Sequence, residues 1–374
     1  MIKRATAGIL CAALLFGLCG CAGMFTKEYS RVTDYVDESS ADSDGKNLVK
    51  NYYSLKQTML QMVNERKETG RIAFGDYDGD ISSDLKSACW ELRTQNALCA
   101  YCVESINYEL SHIVTYEEAE ISIKYSRSAE EMEQVVKVSY STQIRDHLLT
   151  DMEQLKSRSV IFVTNSALDE DGVTELIKQI YMDEPLCVPR IPAVAVQMYS
   201  GLGLQRLFEV SFDYGTSLTA IKDQKERLDR QVDVLTEEAL ADTPAQTALN
   251  AARAILESCT YSPASGASNT YDALVSGDGD SLAIALGYKA LCARLGIDCT
   301  VVTGLLDRSD HWWNIIELEG EHYHVDLTRC MQASLAEGFL RSDMDMWGSY
   351  RWDTGAYMEC RGELTYDEVV SAEK

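Results

Sequence analysis

Gly277-Asp278-Gly279-Asp280-Ser281 runs directly into an apolar stretch, Leu282 to Leu295, and the reading of that junction decides the fold of the C-terminal third. Leu282, Ile284, Ala285, Leu286, Ala290 and Leu291 put apolar side chains on nearly every face of the helix this stretch predicts, so the helix is expected to be central and buried. Ser281 falls in its first turn, where unpaired N–H groups and partial positive charge gather. A hydroxyl there can be a reacting group or simply a cap. Asp278 and Asp280 suit a helix start as capping charges but oppose any anion developing beside Ser281.

Downstream, Trp312 to Leu318 and Glu321 to Thr328 read as two strands joined by Glu319-Gly320, a two-residue turn with glycine available for positive φ. That register pairs Leu318 with Glu321, hence Trp313 with Asp326 and His311 with Thr328. His311 and Asp326 are then diagonal neighbours on one face, roughly 7–8 Å apart at the backbone. A three-residue turn would put them on opposite faces. Ser281, His311 and Asp326 thus come in the order nucleophile, base and base-orienting acid. His322, His324 and Asp326 also share a face, and imidazole with carboxylate suits zinc. Adjacent strand positions fan their side chains apart, so neither a metal nor a cofactor is expected.

The order of these segments resembles the transglutaminase-like domain of bacterial surface proteins, which shares its core with papain-type cysteine proteases. The family places a nucleophilic cysteine at the start of a helix, then G-I-x-C-x-x-V-x-G, H-x-W-N and Y-x-V-D-x-T. The corresponding stretches here are Gly296-Ile297-Asp298-Cys299-Thr300-Val301-Val302-Thr303-Gly304, His311-Trp312-Trp313-Asn314 and Tyr323-His324-Val325-Asp326-Leu327-Thr328. The resemblance covers residues from about 245 to 360. It implies an α+β fold with a central helix packed on an antiparallel sheet, and a catalytic triad of Ser281, His311 and Asp326. Ser281 stands where the family has cysteine, and Cys292 lies three turns further along the helix. A hydroxyl is far less acidic than a thiol, so a helix terminus and an imidazole cannot hold it ionised. Impaired chemistry is therefore favoured over a working serine triad. Trp312, Trp313, Trp347, Tyr350 and Trp352 crowd the end of the domain, some as core and the rest available to line a groove.

Residues 48–240 are read as a duplicated α+β region of unknown role. Glu120-Ile121-Ser122-Ile123-Lys124-Tyr125 echoes Glu209-Val210-Ser211-Phe212-Asp213-Tyr214, Leu98-Cys99 echoes Leu186-Cys187, and Ile72-Ala73-Phe74 echoes Ile161-Phe162-Val163. Each copy reads as strand, helix, strand, strand, helix, with the two copies sharing a sheet. Before them, Leu48, Tyr52, Leu55, Met59, Leu60 and Val63 recur at helical spacing. The boundary with the C-terminal domain, residues 241–374, is expected between Glu238 and Pro244. Asp76-Tyr77-Asp78-Gly79-Asp80 lacks the closing glutamate of a calcium loop and reads as a polar turn before a helix. His112 and His147 are isolated, and Cys99-Ala100-Tyr101-Cys102 has redox spacing without redox context.

The 374-residue chain begins with Lys3-Arg4, an apolar run from Ala5 to Gly17, and Leu18-Cys19-Gly20-Cys21. That ending resembles a bacterial lipobox, which implies a signal peptide over residues 1–20, lipidation of Cys21 and an acidic tether over 21–47. The expected location is extracytoplasmic, with the lipid on Cys21 holding the chain to the membrane. A net charge of -25 with no long basic run excludes nucleic acid as a partner. Setting Cys11, Cys19 and Cys21 aside leaves nine of twelve cysteines, an odd and scattered set that is no disulfide framework. Cys292 and Cys299 are a candidate pair, but their apolar contexts favour buried thiols. The reading that follows is a membrane-anchored lipoprotein whose impaired transglutaminase-like domain binds a peptide or cell-wall ligand. An active serine hydrolase or acyl-transferase and a purely structural surface protein are the alternatives, and the oligomeric state is open.

Overall fold

The structure is a computed structural model that describes residues 47–372; Cys21, the signal segment and most of the tether lie outside the described residues. The chain is α+β. It divides into two compact units, one made of the described residues up to Ala88 with Asn107–Ser122, the other of Cys89–Ile106 with Ile123 onward.

The first sheet takes β1 (Asn47–Asn51), α1 (Tyr52–Asn64), β2 (Thr69–Asp78), α2 (Ile81–Gln95), α3 (Ala97–Cys102), β3 (Val103–Ile113) and β4 (Tyr116–Tyr125), with strand order β1-β2-β4-β3. β1 runs parallel to β2, and β2 antiparallel to β4. The helical spacing that includes Leu48 begins only at Tyr52. Asn51 is the N-cap, its side chain accepting from Ser54 N, and the residues before it pair as a strand. At the acidic turn, Tyr77 donates to Asp84 at 2.8 Å, and Asp80 Oδ1 accepts from Ser83 N at 2.7 Å.

The second sheet uses α4 (Ala129–Glu133), β5 (Val135–Val138), α5 (Ser141–Glu153), β6 (Arg158–Val163), α6 (Glu170–Asp183), β7 (Ala193–Ser200) and β8 (Arg206–Asp213). Its order is β5-β6-β8-β7, with β5 parallel to β6 and β8 antiparallel to both neighbours. Both sheets therefore follow one plan, strand-helix-strand-helix-strand-strand. Each copy closes its own four-stranded sheet, whereas one shared sheet was expected. The reason is that each opening strand pairs in parallel with the second strand of its own copy, and that strand was not read from the sequence.

The C-terminal part begins with α7 (Leu218–Ala239) and α8 (Pro244–Ser258), followed by β9 (Thr260–Tyr261) paired in parallel with β10 (Asp278–Gly279). Next come α9 (Ser281–Leu295), β11 (Cys299–Leu306), β12 (Ser309–Leu318) and β13 (Glu321–Val325). Short helices α10 (Leu327–Gln332), α11 (Leu335–Gly338) and α12 (Asp343–Met346), then β14 (Tyr350–Trp352) and α13 (Tyr366–Ser371), complete it. The sheet order β13-β12-β11-β14 is antiparallel throughout.

The core explains the position of α9. Ile284, Tyr288 and Leu291 pack with Leu249, Ala252 and Ile255 of α8 and with Ile316 and Val325 of the sheet. Ala285 and Leu286 join a second cluster with Ile161, Val163 and Phe208 of the preceding sheet. A helix buried on two sides needs apolar residues all round, as its sequence has. Leu228, Val232 and Leu235 of α7 belong to the same core as α8, so packing runs unbroken across the turn at residues 240–243. Cys292 and Cys299 are buried thiols, and no cysteine is disulfide-bonded among the described residues. Among the described residues no helix is long and apolar enough to cross a membrane.

Candidate functional site

The hairpin sets the site. Glu319 and Gly320 both take positive φ, 55° and 86°, the primed-turn geometry that matches strand twist. Leu318 pairs with Glu321 and Asn314 with Val325, which is the expected register. One step further, Asp326 leaves the ladder and becomes the N-cap of α10, with Oδ1 accepting from Arg329 N at 3.1 Å. Oδ1 also accepts from the Thr328 hydroxyl at 2.7 Å, and Oδ2 from the Tyr350 hydroxyl at 2.7 Å. His311 Nε2 lies 2.7 Å from the same Oδ2.

Asp326 is 1% exposed and His311 4%. Burial opposes the charge on Asp326, but the hydrogen bonds from His311, Thr328 and Tyr350 win, holding its carboxyl below the usual range. Burial and then the Asp326 charge push the Tyr350 phenol well above its ordinary value, so it stays a donor. An ionised carboxylate only accepts, so the proton of a neutral His311 ring sits on Nε2 and the lone pair on Nδ1. Nδ1 is the nitrogen available as a base. Trp313 stacks on the His311 ring at 6.0 Å and Tyr350 meets it edge-on at the same distance.

Ser281 is the first residue of α9 and 5% exposed. The cap is Asp280 rather than Ser281: its Oδ1 accepts from Ala283 N at 3.0 Å and its Oδ2 from the Ser268 hydroxyl. The helix docks on β12 through Asn314, whose Nδ2 donates to Ala285 O at 3.0 Å, one turn beyond Ser281. Burial first, then the charges of Asp326 and Asp280, raise the Tyr261 phenol pKa. Among the described residues no hydrogen bond joins Ser281 to His311. The structure thus brings His311 and Asp326 into contact, and Ser281 opens the helix that docks on the strand carrying His311, without a direct bond to the ring.

The other histidines of the hairpin go elsewhere. His322 Nε2 is 3.6 Å from Glu317. His324 is fully buried, its Nδ1 accepting from Trp313 Nε1 at 2.9 Å and its Nε2 2.8 Å from Asp343 Oδ1. An indole N–H only donates, so Nδ1 carries the lone pair and Nε2 the proton, which goes to Asp343. His324, Asp343 and Cys360 offer ligand atoms within 4.8 Å of one another. A metal on Nε2 would require the proton to move to Nδ1, directly against the Trp313 N–H. These residues do not fit a metal.

The roles of Tyr350 and Thr328 are absent from the sequence reading. Tyr350 reaches the site because β14 pairs with β11, Leu306 opposite Tyr350; only its place in the aromatic cluster hinted at it. Thr328 stood in the motif Tyr323–Thr328 without a role.

No protein-family model matches the chain, and no curated protein does. Among solved structures, a candidate cysteine protease from Cytophaga hutchinsonii is similar at 14% identity and a TM-score of 0.25, over 37% of this chain and 62% of that one. The chain thus spans less than two thirds of that structure. A structure described as a TGase is similar at 8% identity and a TM-score of 0.26, over 75% of this chain and 78% of that one. A candidate protease from Parabacteroides distasonis is similar at 10% identity and a TM-score of 0.22, over 70% of this chain and 41% of that one. Likeness at these TM-scores establishes no shared fold.

Proposed function

We propose that the C-terminal domain is a transglutaminase-like scaffold that has kept its base and acid while its nucleophile position holds serine, and that it binds a peptide or cell-wall component with little or no chemistry. The observation that carries this reading is the buried His311–Asp326 pair, held by Thr328 and Tyr350 beside a helix that opens with Ser281. A helix terminus and an imidazole activate a thiol by stabilising its thiolate, and the same arrangement leaves a hydroxyl protonated. The Asp280 cap adds negative charge next to the position where an oxyanion would form. The lipid expected on Cys21 would hold the domain at a membrane surface, within reach of wall fragments.

A second reading is favoured by the completeness of the dyad. With Asp326 fixing the Nε2 tautomer, His311 Nδ1 is equipped to take a proton from Ser281 during attack on an acyl carbon, as in serine triads. The new bond would join Ser281 Oγ to that carbon; His311 would then return the proton to the leaving amine or alcohol. Titration with peptidoglycan fragments separates the two readings. Binding that is unchanged in Ser281→Ala, with no fragment cleaved, supports the first. Cleavage or acyl transfer that vanishes in both Ser281→Ala and His311→Ala establishes the second. No binding by wild type or variant contradicts both.

A further inference from the structure

Beside the dyad, and separate from it, lies a cleft of about 440 Å³ whose walls are Trp347, Trp352, Tyr357, Met344 and Met358, with Asp343 among them. Trp347 is 81% exposed and Met344 85%, a high degree for side chains of their size. Glu359 also lines the cleft, and no lysine or arginine does among the described residues. Trp352 meets both Trp313 and His324 edge-on, at 6.0 and 5.0 Å, so one wall of the cleft is fixed by the core behind it.

The charge of Asp343 is the decisive feature. Its partner His324 receives the Trp313 N–H on Nδ1 and therefore remains a neutral ring, donating from Nε2. The pair is a hydrogen bond between a carboxylate and a neutral donor, not an ion pair, so a full negative charge stands on the wall. Glu359 meets Arg361 at 2.6 Å, an exposed contact of little net worth. A half-buried carboxylate, three aromatic rings and two thioethers make a lining that is anionic and otherwise mostly ring and thioether surface. A primary ammonium would set three N–H donors against a lining that, outside its carboxylates and Thr354, is ring and thioether surface. An ammonium whose hydrogens are replaced by methyl groups has no donors to satisfy and gains from ring faces.

We infer that this cleft binds a methylated ammonium group, with Trp347, Trp352 and Tyr357 against its methyls and Asp343 supplying the charge. The ligand class is quaternary or trimethylated ammonium compounds, and the inference holds whether or not Ser281 reacts.

The test is titration of the full chain followed by tryptophan fluorescence or calorimetry, with choline, ethanolamine and 3,3-dimethylbutan-1-ol as probes. The last is the uncharged isostere of choline. Choline is expected to saturate and to bind about tenfold more tightly than either of the others. Trp347→Ala, at an exposed position that the fold does not need, is expected to weaken choline about tenfold or more. Asp343→Asn keeps an acceptor for His324 and should weaken choline while leaving the neutral isostere unchanged. Equal binding of the three probes, absence of saturation, or unchanged choline binding in Trp347→Ala would overturn the inference. So would saturable zinc binding that is abolished in Cys360→Ser and competes with choline, which would assign the cluster to a metal.

Discussion

Asp326 Oδ2 accepts from His311 Nε2 and from the Tyr350 hydroxyl at 2.7 Å each, which ties a hairpin strand to the distant edge strand β14 through a single oxygen. The carboxylate also caps α10 and holds Thr328, so one buried group organises three elements. Replacing it by alanine leaves Arg329 N, Thr328, Tyr350 and His311 facing an empty site. Asp326→Ala is expected to cost about 3–5 kcal/mol in unfolding free energy, because four donors lose their acceptor and each buried one left unsatisfied costs about 1–3 kcal/mol, read by urea denaturation. Tyr350→Phe, which removes one of the four hydrogen bonds, should cost about 1–2 kcal/mol.

Asp151 gives a pH signature in the second repeat. Burial opposes its charge, but His147 at 3.1 Å and Lys156 at 2.7 Å hold its carboxyl down at about 2. The folded state binds this proton less readily than the unfolded chain does, whose carboxyl sits near ~3.9. The stabilisation is therefore fully present above pH ~4 and is lost as pH falls toward 2. Asp151→Asn should lower stability by about 2 kcal/mol at pH 7, and the difference from wild type should shrink through that acid window. A difference that stays constant between pH 6 and pH 2.5 would count against the assignment.

The His324 tautomer is directly observable. Burial lowers its pKa, with Asp343 opposing, so the ring should stay neutral as pH falls through about 6.5, where free imidazole titrates. Imidazole 15N shifts should show a proton on Nε2 and a bare Nδ1 across that range. Since the unfolded ring takes up a proton there and the folded ring does not, stability should decline below pH ~6.5 through this residue. In Trp313→Phe the Asp343 carboxylate still accepts from Nε2, so the tautomer should persist, while Nδ1, freed of the indole N–H, should take up a proton at higher pH than in the wild type.

At the turn, Glu319 holds φ 55° with a side chain that prefers negative φ. Glu319→Asn introduces the residue pair that primed hairpins favour and should raise stability by about 0.5–1 kcal/mol. Gly320→Val, at φ 86°, should lower it by about 1–2 kcal/mol. Both are read from thermal or urea unfolding.

Much of the dyad was legible because its geometry is local. A two-residue turn with glycine, flanked by period-two strands, admits one register, and that register puts His311 and Asp326 on one face. The buried character of α9 was legible for the same reason, since its composition leaves no polar stripe. What escaped depends on contacts far apart in sequence. Tyr350 reaches Asp326 only through pairing of β14 with β11, which three residues of strand do not announce. The opening strand Asn47–Asn51 escaped because Leu48 fits the helical spacing of the residues after it, and only the Asn51 cap separates the two. Without that strand, the two repeats read as sharing a sheet. The choice of cap was a local ambiguity: Asp280 and Ser281 are both good capping residues, and the carboxylate took the role.

The most direct measurement is alkylation of Ser281→Cys by iodoacetamide as a function of pH, alongside fluorophosphonate labelling of the wild type. A scaffold built to activate a thiol should give the introduced cysteine a pKa at or below about 7, and the rate at pH 6 should collapse when His311 is also changed to alanine. The wild-type hydroxyl should take no fluorophosphonate label. An introduced thiol that reacts like free cysteine, or a wild type labelled at Ser281 in a His311-dependent way, would contradict the account.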